Sequence, residues 1–315
     1  MNPYEELLLR HCQNSGELMV LTAENRGHLR TVPPFLGDRF IDVGIAEQTM
    51  IGMAAGMAMR GRTVVTHALA AFITMRSYEF IRDDVGIPNA SVIMVGMVPG
   101  VLSDGNGPTH QAIEDVAIMR GIPNIGVFCP CDIDEFVEGM DYLITDGRPY
   151  YVRYIGMPAS FVHTEPFIPG VAEVLHTSDA AESDVTILTY GYMCRIAHAV
   201  IPLLEAKDIR VRLVNMRTLK PVDERRIIEE LQQSQVVVTL EDHLSTGGLF
   251  SIVAEVLLRN HPEHHARVLP IALSSWFKPG RLQEVLAHEG LDPIAIAARI
   301  ETYITTHVQE HGAHE

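Results

Sequence analysis

The chain has 315 residues, 47% of them apolar, with 40 acidic against 24 basic side chains and a formal charge of −16. That length accommodates two ordinary α/β domains, and the apolar content is that of a globular chain, far from a disordered one. The acidic excess, with no Lys/Arg-rich run to offset it, argues against nucleic acid and anionic membranes as partners.

The first residues, MNPYEELLLRHCQ, lack a basic start followed by an apolar stretch and do not read as a signal peptide. No apolar run approaches the roughly 18 residues that span a bilayer. The four cysteines do not suggest a disulfide framework. Cys129 and Cys131, one proline apart, match no usual zinc spacing and read as strand-end residues, so no metal site is assigned. A cytoplasmic protein is expected.

Short β-branched runs alternate with longer helical patterns, the signature of parallel sheets with crossover helices. In the first half, strands are expected at 18–22, 39–43, 63–67, 91–96, 124–128 and 150–154, with helices near 46–60, 72–85, 111–120 and 132–145. GMPASFVHTEPFIPG (156–170) has three prolines and no periodicity, as a linker would. The alternation then restarts, with strands at 184–191, 209–215, 235–242 and 267–273 and helices near 194–206, 223–233, 247–260 and 292–305. The fold class is therefore α/β, with two doubly wound domains at 1–158 and 171–315 joined by a coil at 159–170. The tail HVQEHGAHE reads as frayed.

Three segments carry candidate chemistry. In RFIDVGIAEQTMIGMAAGMAMRG (39–61) a strand ends at Gly44, and Glu47 falls in the first turn of the next helix, where the dipole favours an acid. Gly52, Ala55, Gly56 and Ala58 thin one side of that helix, so something packs close to it. In HALAAFITMRSYEFIRDD (67–84), Phe72, Met75 and Tyr78 recur at helical spacing and are expected on one face, as core or as a stacking platform for a flat ring. In VLSDGNGPTHQAIED (101–115), Thr109 has the chemistry of a helix N-cap. His110, just inside, would then feel a dipole favouring neutral imidazole able to give or take a proton. The bland alternatives are helix-start electrostatics, core packing and a surface histidine in a tight loop.

In this order and at these separations, the three segments resemble the pyrimidine-binding domain of transketolases and deoxyxylulose phosphate synthase. MRTLKPVDERRI (216–227) and VVVTLEDHLSTGGLFSIVAE (236–255) resemble the family's C-terminal domain. The family's diphosphate-binding domain, with its GDG…N signature, has no counterpart here. The resemblance therefore implies one chain of a split enzyme. A separate N-terminal subunit would hold Mg²⁺ and the phosphates of thiamine diphosphate, within an expected α₂β₂ assembly that transfers a two-carbon ketol unit from a ketose to an aldehyde.

By the same resemblance, Glu47 matches the glutamate that hydrogen-bonds the aminopyrimidine nitrogen N1′ and favours the imino tautomer. Phe72 matches the aromatic that stacks on the pyrimidine, with Tyr78 and Met75 completing the cofactor pocket. His110 matches a substrate-facing proton shuttle. Three positions depart from the pattern. Asn106 stands where sugar-using members carry an aspartate, Val98 where a histidine approaches the sugar phosphate, and Gly156 where an arginine grips it. Arg153 would replace that arginine if the register differs. These departures imply a ketose other than the usual pentose phosphates. Two other readings stay open: the beta subunit of a 2-oxo acid dehydrogenase, and a non-catalytic scaffold subunit.

Overall fold

The computed structural model describes residues 1–178, 183–262 and 265–307. The reading of the tail as frayed falls on 308–315, outside the described residues. Twelve strands form two sheets: β1 Leu18–Thr22, β2 Phe40–Asp42, β3 Thr63–Leu69, β4 Val92–Met97, β5 Gly126–Phe128, β6 Tyr150–Arg153, β7 Glu173–Thr177, β8 Ser183–Thr189, β9 Val211–Asn215, β10 Thr218–Lys220, β11 Ser234–Leu244 and β12 Arg267–Leu273.

The first sheet has the order β10-β5-β6-β4-β3-β1-β2, and the second β12-β11-β8-β9-β7. Within each sheet the strands are parallel, except that β10 runs antiparallel to β5 and β7 antiparallel to β9. Both domains are thus α/β with mixed sheets. The parallel strands are buried on both faces and read as near-continuous apolar runs, such as Val92-Ile93-Met94-Val95.

The two sheets do not divide strictly along the chain. Strand β10 lies far beyond the linker in sequence, yet it closes the edge of the first sheet. The domains therefore interlock, and one apolar cluster runs from Met50 and Val116 of the first to Leu188 and Val253 of the second.

Charged groups fix the linker between them. His163 faces Asp132 of the first domain at 3.1 Å and Glu173 of β7 at 2.7 Å. Burial alone would lower the imidazole's pKa, but hydrogen bonds with Asp132, Cys131 and Glu173 push it up to about 12. Both ring nitrogens can then donate to carboxylates. Among the described residues no helix is long and apolar enough to cross a membrane.

Candidate active site at the carboxyl ends of the first sheet

In an open parallel sheet, ligands bind in the crevice beyond the carboxyl ends of the strands. Four segments converge there: residues 23–27 after β1, the turn 43–47 after β2, the turn after β3, and the loop 98–114 after β4. Ala23, Asn25, Arg26, Ile45, Glu47 and Phe72 are among the residues lining an open cleft of about 290 Å³ at this edge.

Asp42, at the end of β2, shapes the rim. Its carboxylate accepts from the backbone amides of Gly44 and Glu24 and pairs with Arg26. Burial would raise its pKa, but those amides and Arg26 hold it below the usual range.

Glu47 is the first residue of helix Glu47–Ala58 and is only 2% exposed. A carboxylate so buried needs a partner, and it has one: Arg76 Nη1 lies 2.7 Å from its Oε2. The guanidinium carbon of Arg76 also stands 4.2 Å from the centroid of the Phe72 ring. Arg76 therefore engages the two groups that a stacked, hydrogen-bonded heterocycle would use. Phe72 in turn meets the His110 ring edge-on, with centroids 5.0 Å apart. Glu47, Phe72 and His110 thus form one constellation.

The other expected residues fall differently. The segment after β3 is not one regular helix: Phe72–Arg76 and Ile81–Gly86 are π turns flanking Tyr78–Phe80. The wider i→i+5 turn breaks the three-residue spacing that was to keep Phe72, Met75 and Tyr78 on one face. Met75 is exposed, and Tyr78 packs against the large apolar cluster that includes Val116 and Met119. Nor does Thr109 cap a helix. Pro108–His110 is a single 3₁₀ turn, and the helix begins only at Asp115, so no helix dipole starts at His110. Thr109 Oγ1 instead lies 3.0 Å from His110 Nδ1. Asn106 is exposed on the same loop.

Arg153, expected to read a phosphate only if the register differs, is enclosed by carboxylates. It is 1% exposed, with Nε 3.0 Å from Asp115 and Nη1 2.7 Å from Asp242 of the second domain. Both charges it neutralises are themselves buried, so it is an interdomain ion-pair centre. A Cβ on Gly156 would fall 2.5 Å from the Tyr154 hydroxyl, so any side chain there would require Tyr154 to shift. Val98 holds a backbone φ of +49°, which is costly for a β-branched residue, and nothing in the structure explains why valine stands there.

On the helix Glu47–Ala58, a Cβ on Gly52 or Gly56 would meet nothing within 4 Å. The close neighbour that the small residues imply is not within the described part of this chain. Sequence reasoning missed Arg76, although it lies one helical turn beyond Phe72. It also missed residues 23–27, which the strand-end rule could have flagged.

Residues 11–155 match the transketolase pyrimidine binding domain, and residues 175–296 the transketolase C-terminal domain. The 6-deoxy-6-sulfo-D-fructose transketolase subunit SqwH of Clostridium sp. (strain MSTE9) is 34% identical, over 84% of this chain and 82% of that protein. The chain belongs to the transketolase family. An apulose-4-phosphate transketolase subunit of Actinobacillus succinogenes is 29% identical, over 92% of this chain and 94% of that protein. Among solved structures, a split gene transketolase in an inactive beta4 tetramer superposes with a TM-score of 0.83 at 31% identity, covering 96% of this chain and 97% of that one. The likeness extends over nearly the whole length of these split subunits. It favours a transketolase-type transferase over a dehydrogenase beta subunit.

Proposed function

We propose that this chain is the C-terminal subunit of a split, thiamine-diphosphate-dependent transketolase, completed by a separate subunit that holds Mg²⁺ and the diphosphate. The observation that carries the reading is the buried Glu47 carboxyl beside the Phe72 ring, at the carboxyl edge of a parallel sheet. That pair fits an aminopyrimidine: an apolar face to stack on, and an acid group that meets a ring nitrogen in a dry site where the hydrogen bond is strong. When bound, thiamine diphosphate supplies the carbon nucleophile that carries the two-carbon unit. Glu47 holds the proton shared with the ring nitrogen, Phe72 orients the ring, and His110 moves protons at the ketose oxygens. Arg76 must release Glu47 before the ring can enter.

Two features support assembly and substrate. The uncovered Gly52 and Gly56 on helix Glu47–Ala58 suit close packing against another chain, consistent with an α₂β₂ complex built around a dimer of this subunit. Valine at 98 and glycine at 156 leave out two phosphate-reading side chains, and Arg153 does not replace them. A ketose that is unphosphorylated or differently charged is the substrate this site favours, and one of the named relatives is a transketolase subunit for a sulfosugar.

Calorimetry tests the split directly. Thiamine diphosphate with Mg²⁺ should bind the mixed pair of subunits tightly and this chain alone negligibly. Tight, metal-dependent binding by the isolated chain would overturn the reading.

A further inference from the structure

His110 rides on a loop with little regular structure of its own. Between Val98 and Glu114 the chain makes only short 3₁₀ turns. Within the loop, Gly100 N–H donates to the Ala112 carbonyl and the Ser103 hydroxyl donates to the His110 carbonyl at 2.9 Å. The loop's other internal bonds are local turns, such as His110 N–H to the Gly107 carbonyl and Asn106 N–H to the Ser103 carbonyl, which shape it without tying it to the second domain.

The second domain supplies the missing restraint. Gln111, adjacent to His110, is 1% exposed, and its Nε2 donates to the Phe277 carbonyl at 2.7 Å. Phe277 lies just after β12 and packs in one cluster with Val101 and Ile113, which lie in the loop. Three further bonds cross between the domains along the same loop. Gly280 N–H donates to the Asp104 carbonyl, Leu244 N–H to the Ile113 carbonyl, and Val101 N–H to the Asp242 carboxylate. Gln111 Oε1 is buried and has no partner among the described residues. A buried amide oxygen left unmet is costly, and the Nε2 bond that is made reaches across the domain boundary beside the proposed proton shuttle.

We propose that Gln111 is a positioning residue, through which the second domain holds His110 against Phe72 at the reacting centre. The inference rests on the proposed role of His110. It gives the second domain, which contributes no side chain to the lining of the Glu47 cleft, a part in the reaction. Gln111→Met keeps length and apolar volume but removes the donor. Gln111→Asn keeps the amide but falls one methylene short of Phe277.

Two measurements test it. The first is residue-resolved carbethoxylation of His110 by diethyl pyrocarbonate in the full chain, with folding monitored by circular dichroism. Both variants should stay folded while His110 reacts several-fold faster. The second is transfer by the mixed pair of subunits, with D-xylulose and D-xylulose 5-phosphate as donors, across pH. Misplacing a catalytic group by about 1 Å can cost up to about a hundredfold. kcat should therefore fall by about 10- to 100-fold with KM little changed, and the limb of the pH profile set by His110 should move.

If His110 reactivity in the folded variants stays within about twofold of wild type, the positioning role is overturned, whatever kcat does. A kcat loss that merely follows the unfolded fraction overturns it as well. His110→Ala separates this inference from the reading beneath it. Full transfer by that variant would refute the role of His110 in the reaction, while the carbethoxylation result would still decide whether Gln111 restrains it.

Discussion

Arg76 Nη1 lies 2.7 Å from Glu47 Oε2, and the same guanidinium stacks 4.2 Å from the centre of Phe72. A planar cation thus occupies both recognition surfaces of the cleft. It also keeps the Glu47 carboxylate compensated while no heterocycle is present, since a buried charge without a partner is strongly unfavourable.

Removing Arg76 should therefore have opposite effects on the free chain and on the complex. In Arg76→Ala the isolated chain should melt at a lower temperature, because Glu47 loses its cation. The mixed pair should bind thiamine diphosphate more tightly, by about three- to tenfold, because the state competing with the cofactor is less favourable. Parallel scanning calorimetry and cofactor titration check this. Weaker cofactor binding would mean that Arg76 assists the bound state instead.

Arg153 should behave as a structural centre. Arg153→Ala leaves Asp115 and Asp242 buried without a cation, and breaking such a network costs about 3–5 kcal/mol. Denaturant unfolding should show that loss, while the KM for the ketose donor in the folded fraction stays at the wild-type value. A rise in donor KM without loss of stability would restore Arg153 as a substrate ligand.

A second buried group sets a pH limit on the fold. His67 on β3 accepts from the Tyr4 hydroxyl at 2.6 Å and donates to the Leu21 carbonyl at 3.2 Å, so its neutral form is fully bonded. Burial is the main cause that lowers its pKa from 6.5 to about 4, with His28 adding to the effect. The unfolded chain therefore takes up a proton below pH 6.5 that the folded chain refuses. The corresponding stability is present above 6.5 and is lost as pH falls toward 4, to a total of about 3 kcal/mol. Urea titrations from pH 7.5 to 4 should show this loss in wild type. They should show a correspondingly smaller loss in His67→Gln, which offers one donor and one acceptor but cannot ionise.

The features legible in the sequence were those that depend on neighbours along the chain. The parallel strands stand out as β-branched runs, and Glu47 as an acid one turn past a strand end. Strands β7 and β10 were missed because they are short and antiparallel at sheet edges, and exist through pairing with β9 and β5. The shared face of Phe72, Met75 and Tyr78 failed because periodicity assumes an α-helix, whereas this segment winds through π turns. Arg153 was misread because its decisive partner, Asp242, lies 89 residues away in the other domain. Likewise, nothing local to GPTHQ reveals that Gln111 reaches Phe277.

The central claim is that Glu47 activates the cofactor of a split transketolase. It is tested most directly by C2-proton exchange of thiamine diphosphate bound to the mixed pair, in wild type and Glu47→Gln. The amide keeps the size and most of the hydrogen bonding of the acid but cannot exchange its proton with a ring nitrogen. General acid–base contributions of this kind are worth roughly 10²–10⁴ in rate, about 3–5 kcal/mol of barrier. Exchange should collapse by that factor while assembly and thermal unfolding stay close to wild type. Exchange within a few-fold of wild type in a fully assembled, cofactor-loaded Glu47→Gln pair would contradict the account and leave Glu47 as a helix-start carboxylate paired with Arg76.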